Sequence, residues 1–178
     1  MKNPSALILV DLENEWLVKE SDYYAKDLIP TIKKINALID VCRARGDKII
    51  FIRHVEKDSK DIFADKTVRS KIIPALHRKP SDTVITKYQI SPFYKTSLEK
   101  ELKGITGIVV SGILTNLCVR SLVSDAYDRG FEITIVKDCC VALDKKTHEF
   151  TLKDLKATRE EVAIVDLKKF LKLFLKHP

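Results

Sequence analysis

Apolar positions along the chain follow two patterns, which alternate from one end of the sequence to the other. Short apolar runs predict six strands, over residues 6–10, 48–52, 83–86, 107–113, 132–136 and 162–165. Apolar residues at helical spacing predict helices over 32–42, 98–102, 118–126 and 147–157, and a last helix that Asp166 caps. The polar and charged stretch 54–80 predicts a long loop with a short helix.

This alternation of strands and helices determines the expected fold class. Six strand–helix units predict an α/β fold with a six-stranded parallel sheet and helices on both faces, a three-layer α/β/α arrangement with right-handed crossovers. No repeat or linker interrupts the 178 residues, so a single domain over 1–178 is expected. In a doubly wound sheet the first and fourth strands can be neighbours, and functional groups gather at the carboxyl ends beside them.

Composition and charge exclude several classes of protein. The chain has 32 Lys and Arg against 25 Asp and Glu, a net charge of +7, but its lysines are spread and mixed with acids. A nucleic-acid partner is not expected, because no basic stripe with interleaved aromatic residues is present. No apolar run approaches the roughly 18 residues of a membrane span. The N-terminal apolar run is too short for a signal peptide, so a cytoplasmic protein without a membrane partner is expected.

The last predicted helix is both basic and amphipathic. Lysines alternate with an apolar face formed by Leu167, Phe170, Leu171, Phe174 and Leu175. A helix of this kind lies either on a membrane or on the sheet of its own domain. Docking on the sheet is the favoured interpretation, because every other helix in the chain also has one apolar face.

Three reactive side chains stand at predicted strand ends. Asp11 ends the first strand, Lys87 follows the third, and Cys118 opens the helix after the fourth. With Thr115 or Asn116 as the N-cap, Cys118 lies in the first helical turn, where the helix dipole and a nearby lysine lower the pKa of a thiol. Each residue alone has an ordinary interpretation, as a loop aspartate, an exposed lysine and a small apolar filler. Their joint placement favours a functional site.

Three local motifs appear in order around these residues. They are VDLENEW over 10–16, KYQISPF over 87–93 and SGILTNLCV over 111–119. With these motifs the sequence resembles the isochorismatase-like cysteine hydrolases, the family that includes nicotinamidase and N-carbamoylsarcosine amidase. The resemblance covers nearly the whole chain, and the G-x-x-T-x-x-C-V segment that ends at Val119 is its most specific part. It implies the isochorismatase-like version of the predicted fold.

The resemblance also implies a mechanism. Asp11, Lys87 and Cys118 would form a catalytic triad, and the peptide bond between Ile113 and Leu114 would be cis. In the family this bond aims the backbone N–H groups of Leu114 and Cys118 at an oxyanion. The implied reaction is hydrolysis of a C–N bond in a small amide or carbamoyl compound through a thioester. Cys118 would be the nucleophile, Asp11 the general base and acid, and Lys87 the stabiliser of the thiolate.

Other positions concern the substrate pocket and a metal. Trp16 and Phe93 match family positions that approach the site, and His54 is expected to be a third pocket residue. Nicotinamidases of the family bind a metal through an Asp-x-His motif after the second strand. Here that segment reads FIRHVEKD over 51–58, so no metal and no cofactor are expected. Glu13 stands where the family often has Gln.

Two other functions remain open at this point. In a thiol-based redox protein Cys118 would form a sulfenic acid, and Cys139 or Cys140 would resolve it. In a non-catalytic family member the site would only bind a small molecule. Free thiols are expected at all four cysteines, Cys42 included, because the chain has no C-x-x-C motif. Family members are commonly dimers or tetramers, so a homo-oligomer is expected, with the last helix as a candidate interface.

Overall fold

The computed structural model describes residues 5–175, and side chains as far as Leu173. Within this range six parallel strands form one sheet in the order β3-β2-β1-β4-β5-β6. The strands are β1 Ser5–Val10, β2 Lys48–His54, β3 Thr83–Lys87, β4 Gly107–Ile113, β5 Glu132–Val141 and β6 Ala163–Val165. β1 and β4 are neighbours at the centre, as predicted, and the chain order reverses between them.

Helices cover both faces of the sheet and confirm the three-layer prediction. The described chain contains α1 Leu28–Ala44, α2 Leu98–Glu101, α3 Arg120–Asp128, α4 Lys145–Thr158 and α5 Leu167–Leu175. Leu7 and Leu9 of β1 pack in one core with apolar side chains of α1 and α5. Ile8, one residue between them, packs in the opposite core with α2, α3 and α4. β1 is therefore buried on both faces, which explains why its sequence is a continuous apolar run.

At Gly112 the two central strands leave no room for a side chain. This residue of β4 pairs with Val10 of β1 and has a φ of +134°. A Cβ atom placed there would lie 2.2 Å from the Val10 carbonyl oxygen and 2.6 Å from its nitrogen. Both the dihedral angle and the contact require glycine, because a side chain would separate the two strands at the ends that hold the reactive residues.

The loop over 54–80 differs from the prediction, because it contains no helix. Its backbone pairs instead with the segment after β1: Ile73 donates to Leu12, Glu15 to Arg69 and Asn14 to Lys71, at 2.9 to 3.0 Å. The loop therefore satisfies its polar groups through distant residues, which a local pattern does not reveal. It covers the segment between β1 and α1.

The last helix docks on the sheet, as the favoured interpretation predicted. Asp166 caps α5 by accepting the backbone N–H of Lys169 at 2.7 Å. Leu167 and Phe170 are buried in the same core as α1, and Leu171 packs against it. The predictions for the side chains of Phe174 and Leu175 lie outside the described residues. Between residues 5 and 175 we find no helix with both the length and the apolar character for a membrane crossing.

Candidate active site

The ammonium group of Lys87 contacts the other two reactive side chains at the carboxyl ends of β1, β3 and β4. Asp11 directly follows β1, Lys87 is the last residue of β3, and Cys118 lies just after β4. The Nζ atom of Lys87 is 2.8 Å from Asp11 Oδ2 and 3.4 Å from Cys118 Sγ. Lys87 is fully buried, and Asp11 and Cys118 are 1% and 8% exposed. An ammonium group hidden from water in this way requires the anionic partner that Asp11 supplies.

Asp11 turns the chain sharply away from the end of β1. Its φ of +53° lies in the left-handed region, which aspartate tolerates better than most residues. Its backbone N–H still donates to the Ile52 carbonyl of β2 at 3.0 Å, so the residue is held to the sheet. The carboxylate is thereby fixed against Lys87 rather than released into solvent.

Cys118 lies in a single π-helical turn, Thr115–Val119, that precedes α3. The prediction of Thr115 or Asn116 as N-cap is wrong, because Leu114 precedes the turn and no side chain caps it. The Leu114 carbonyl accepts the N–H groups of both Leu117 and Val119 at 3.1 Å. The Thr115 hydroxyl instead lies 2.8 Å from Nδ1 of His148 on α4. The peptide bond that leads into this turn, Ile113–Leu114, is cis.

The thiol of Cys118 is neutral in the resting site. Burial, followed by the negative charge of Asp11, raises the pKa of Cys118 to about 12, although Lys87 opposes the rise. The expected lowering of this pKa is therefore wrong, since it counted the lysine and the helix but not the desolvation. Any attack by this sulfur would therefore require the loss of its proton during the attack rather than before it.

The buried surroundings also shift the pKa values of Asp11 and Lys87. Burial raises the pKa of Asp11 above its usual value, and the attraction of Lys87 only partly offsets this. Burial lowers the pKa of Lys87, but Asp11 and Cys118 together, through their charges and hydrogen bonds, more than compensate and leave it raised. Lys87 thus stays an ammonium, and Asp11 is a stronger base than an ordinary aspartate.

His54, the last residue of β2, contacts the same ammonium. Its Nδ1 lies 3.4 Å from Lys87 Nζ, and its Nε2 lies 3.1 Å from Glu56 Oε2. Because an ammonium group only donates, Nδ1 accepts and Nε2 carries the proton. Burial and then the charge of Lys87 lower the pKa of His54, which keeps the ring neutral.

The predicted pocket residues Trp16 and Phe93 lie in separate clusters. Trp16 packs against Tyr23 and Phe63, with ring centroids 5.7 and 5.2 Å away. Phe63 also contacts the His54 ring at 5.4 Å, so this aromatic cluster reaches the site. Phe93 is covered by the guanidinium of Arg129, 4.3 Å from its ring centre. Sequence reasoning missed Phe63, because nothing in the polar stretch around it marks an inward-facing ring.

A cavity of about 760 Å³ lies between the loops after β2 and β3, and neither the three reactive residues nor the predicted pocket residues Trp16, His54 and Phe93 line it. Its wall includes Glu56, the partner of His54, and Gln89, whose carbonyl oxygen accepts from Lys87 Nζ at 3.1 Å. Tyr88 and Tyr94 supply aromatic surface on the same wall. The volume suits a small organic molecule. Tyr88 and Gln89 belong to the motif over 87–93, but the sequence does not reveal that the loop after β2 lies opposite them.

Comparison with known proteins identifies relatives over most of the chain. The sequence is 26% identical to nicotinamidase 3 of Arabidopsis thaliana, over 85% of this chain and 80% of that protein. It is 32% identical to the uncharacterized isochorismatase family protein YaaI of Bacillus subtilis (strain 168), over 85% and 88%.

Two further relatives differ in the activity that their names state. Ureidoacrylate amidohydrolase RutB of Methylorubrum extorquens is 25% identical, over 75% of this chain and 68% of that protein. A probable inactive nicotinamidase of Arabidopsis thaliana is 23% identical, over 85% and 88%. The relatives thus include both an amide-hydrolysing enzyme and a protein described as inactive.

Solved structures share the fold. An isochorismatase family protein from Desulfovibrio vulgaris superposes with a TM-score of 0.89 at 20% identity, over 98% of this chain and all of that chain. Pyrazinamidase of Pyrococcus horikoshii, solved in complex with zinc, gives 0.82 at 21% identity, over 91% and 98%. Zinc needs three or four close ligands. Between residues 5 and 175 no group of three His, Cys, Asp or Glu side chains could hold a metal. The residues around His54 do not fit such an ion, because its Nδ1 faces an ammonium group.

The sequence also matches the model of one protein family over most of its length. The family model described as Isochorismatase domain matches residues 5–166. That range contains all six strands of the sheet and the three residues that meet at the Lys87 ammonium group. The chain belongs to the isochorismatase family.

Proposed function

We propose that the protein is a cysteine hydrolase that cleaves the C–N bond of a small amide or carbamoyl compound through a thioester. One observation carries this proposal: a single buried ammonium group, Lys87 Nζ, contacts both the Asp11 carboxylate and the Cys118 sulfur. The names of the relatives, which include a nicotinamidase and a ureidoacrylate amidohydrolase, support the substrate class.

The first half of the reaction forms the thioester. As Cys118 Sγ bonds to the carbonyl carbon, its proton passes to Asp11, whose raised pKa favours the transfer. The carbonyl oxygen becomes an oxyanion, to which the backbone N–H groups of Leu114 and Cys118 would donate. When the C–N bond breaks, Asp11 returns the proton to the leaving nitrogen. Lys87 stabilises the sulfur while it carries negative charge.

The second half regenerates the thiol. A water molecule attacks the thioester carbon and gives a proton to Asp11. The C–S bond then breaks, the acid is released, and the proton on Asp11 returns to Cys118. Because Asp11 is an acceptor in each attack and a donor in each breakdown, one carboxylate serves both halves of the cycle.

Ammonia or amine release from a panel of primary amides and N-carbamoyl compounds tests the proposal. We expect at least one substrate, and loss of activity by about 10³-fold or more in Cys118→Ala, since the nucleophile is removed. Cys140→Ala is the matched control, because Cys140 is a buried thiol of the same core as Cys118. Equal activity in Cys118→Ala and the wild type would reject the cysteine mechanism.

A non-catalytic binding protein is the second candidate. The neutral resting thiol and the relative described as a probable inactive nicotinamidase favour it. It predicts that a small amide bound to the protein shifts the melting temperature but is recovered unchanged after prolonged incubation. Turnover of any such ligand excludes this candidate.

The redox alternative has less support. Cys139 packs in the core with α1, whereas Cys118 packs in the core on the other face of the sheet. Of the two suggested resolving cysteines, Cys140 alone shares the core of Cys118. A Cys118–Cys140 disulfide after peroxide treatment, identified by peptide mass spectrometry, would restore this alternative.

The location and assembly of the protein complete the proposal. We expect a cytoplasmic homo-oligomer, a dimer or tetramer, with α5 as a candidate interface because Leu173 is exposed on it. Light scattering that gives a single monomeric mass would contradict the assembly. Recovery of the protein outside the cytoplasmic fraction would contradict the location.

A further inference from the structure

Glu13 is a carboxyl group at the site that the proposed mechanism does not use. Its side chain is fully buried two residues after Asp11, and its backbone N–H donates to the Asp11 carbonyl at 3.0 Å. One carboxyl oxygen, Oε1, accepts the backbone N–H of His54. The other, Oε2, is buried and has no hydrogen-bond partner among the residues that the structure describes.

Among the residues that the structure describes, the cations near Glu13 are already paired with other carboxylates. Lys87 is paired with Asp11 at 2.8 Å, and Arg53 is paired with Asp65 at 3.0 Å. The His54 ring is neutral, for the reasons given above. An ionised Glu13 would therefore be a buried charge that has a hydrogen bond from the His54 N–H but no cation of its own, which proteins avoid by keeping the group protonated.

We infer that Glu13 is a protonated positioning residue of this site, a neutral acid that fixes the His54 backbone beside Lys87 without adding a second negative charge. The positioning role rests on the proposed function. The protonation of Glu13 rests only on its burial and its contacts. Two contacts connect Glu13 to the ammonium group. Glu13 Oε1 accepts the backbone N–H of His54, and Nδ1 of the same histidine lies 3.4 Å from Lys87 Nζ. Burial, and then the charge of Asp11, raise the pKa of Glu13 well above its usual value, in agreement with this state.

A protonated Glu13 makes the stability of the folded protein decrease as the pH rises above the pKa of an unfolded glutamate. An unfolded glutamate loses its proton near pH 4.5, whereas the folded one keeps it to a higher pH. Between the two values the folded state binds one proton more, so stability falls as pH rises. The folding equilibrium constant then decreases by up to about tenfold for each pH unit.

Urea unfolding of the wild type and Glu13→Gln from pH 5 to 9 tests the protonation. Glutamine keeps an oxygen that can accept the His54 N–H but has no proton to lose. We expect the folding constant of Glu13→Gln, divided by that of the wild type, to rise with pH by up to about tenfold per unit. Parallel pH curves for the two proteins would overturn the inference.

Glu15→Gln is the matched control for this measurement. Glu15 is also fully buried, in the same segment, but it faces Arg69 at 3.3 Å. Its replacement should therefore give no comparable rise of the ratio with pH. An equal rise in Glu15→Gln would show that the effect is not specific to Glu13 and would overturn the inference.

The rate at which iodoacetamide alkylates Cys118 tests the positioning role without any substrate. In the wild type the rate should gain less than tenfold per pH unit once Glu13 ionises, because the new charge disfavours the thiolate. Glu13→Gln should show no such bend, and Glu13→Ala, which cannot accept the His54 N–H, should change the rate at every pH. Identical profiles in the wild type and Glu13→Gln would overturn the role. If both signatures appear but no amide is hydrolysed, the proposed function fails and the inference about Glu13 stands.

Discussion

Two ion pairs that begin in the segment after β1 differ in how much of each pair is buried. Asp11 pairs with Lys87, and Glu15 pairs with Arg69. Asp11 and Lys87 are both buried, at 2.8 Å from each other. Glu15 is equally buried, but its partner Arg69 has a side chain that is 36% exposed and also reaches Asp61 at 3.2 Å. Hiding both charges carries a large desolvation cost, which a pair with a structural role can avoid by leaving one partner in water. The comparison separates a pair suited to chemistry from one that attaches the loop over 54–80.

Removal of Lys87 should have the largest effect. In Lys87→Met the Asp11 carboxylate loses its partner while it stays buried, so we expect destabilisation of about 3–5 kcal/mol in urea unfolding. The same variant should lose detectable hydrolysis, because neither the sulfur nor the carboxylate is oriented.

The double variant Asp11→Asn/Lys87→Met provides the control for this experiment. It removes both charges, so it should recover most of the lost stability while activity stays absent. A double variant whose destabilisation equals the sum of the two single variants would mean that the two groups do not act as a pair.

The pH dependence of Cys118 labelling should show the next effect. With a pKa of about 12, the thiolate fraction rises about tenfold with each pH unit below that value, so alkylation of the wild type should accelerate steeply between pH 7 and 9. Mass spectrometry of the labelled peptide isolates Cys118 from the other thiols. A rate that is already constant near pH 7 would instead indicate a thiolate that is formed before substrate binds.

Replacement of His54 should have a moderate effect. His54→Phe keeps a ring against Phe63 but removes the acceptor for Lys87 Nζ, a contact of the kind that contributes about 1 kcal/mol. We expect kcat/KM to decrease about fivefold while the fold is kept. His54→Gln, which offers an acceptor again, should recover part of the loss; a further decrease would argue against a hydrogen-bonding role.

Arg69→Ala should have the smallest effect and completes the comparison. Its exposed guanidinium means that water can replace much of what Glu15 loses, so we expect about 1 kcal/mol of destabilisation in urea unfolding. Hydrolysis should stay within about twofold of the wild type. A loss of stability and of hydrolysis as large as that of Lys87→Met would show that the partial exposure of an ion pair does not predict its role.

The sequence was sufficient for the parts of the molecule in which local pattern and burial agree. The continuous run of β1 is buried on both faces, and the motif residues Asp11, Lys87 and Cys118 meet around one ammonium group. The sequence was insufficient where contacts between distant parts of the chain determine the local structure or the pKa of a group. The loop over 54–80 has no helix because its backbone bonds to the segment after β1. The direction of the Cys118 pKa depends on desolvation, which spacing along the chain does not measure.

The close approach at Gly112 has a consequence for genetics. Since neither its dihedral angle nor its distance to Val10 admits a side chain, every missense change at this codon should act as a null allele. A saturation screen scored by the proposed hydrolysis would therefore group Gly112 with Asp11, Lys87 and Cys118, although Gly112 has no role in the proposed mechanism. Scoring the same library by the abundance of folded protein would separate them, because changes at Gly112 would lower abundance whereas Cys118→Ala would not.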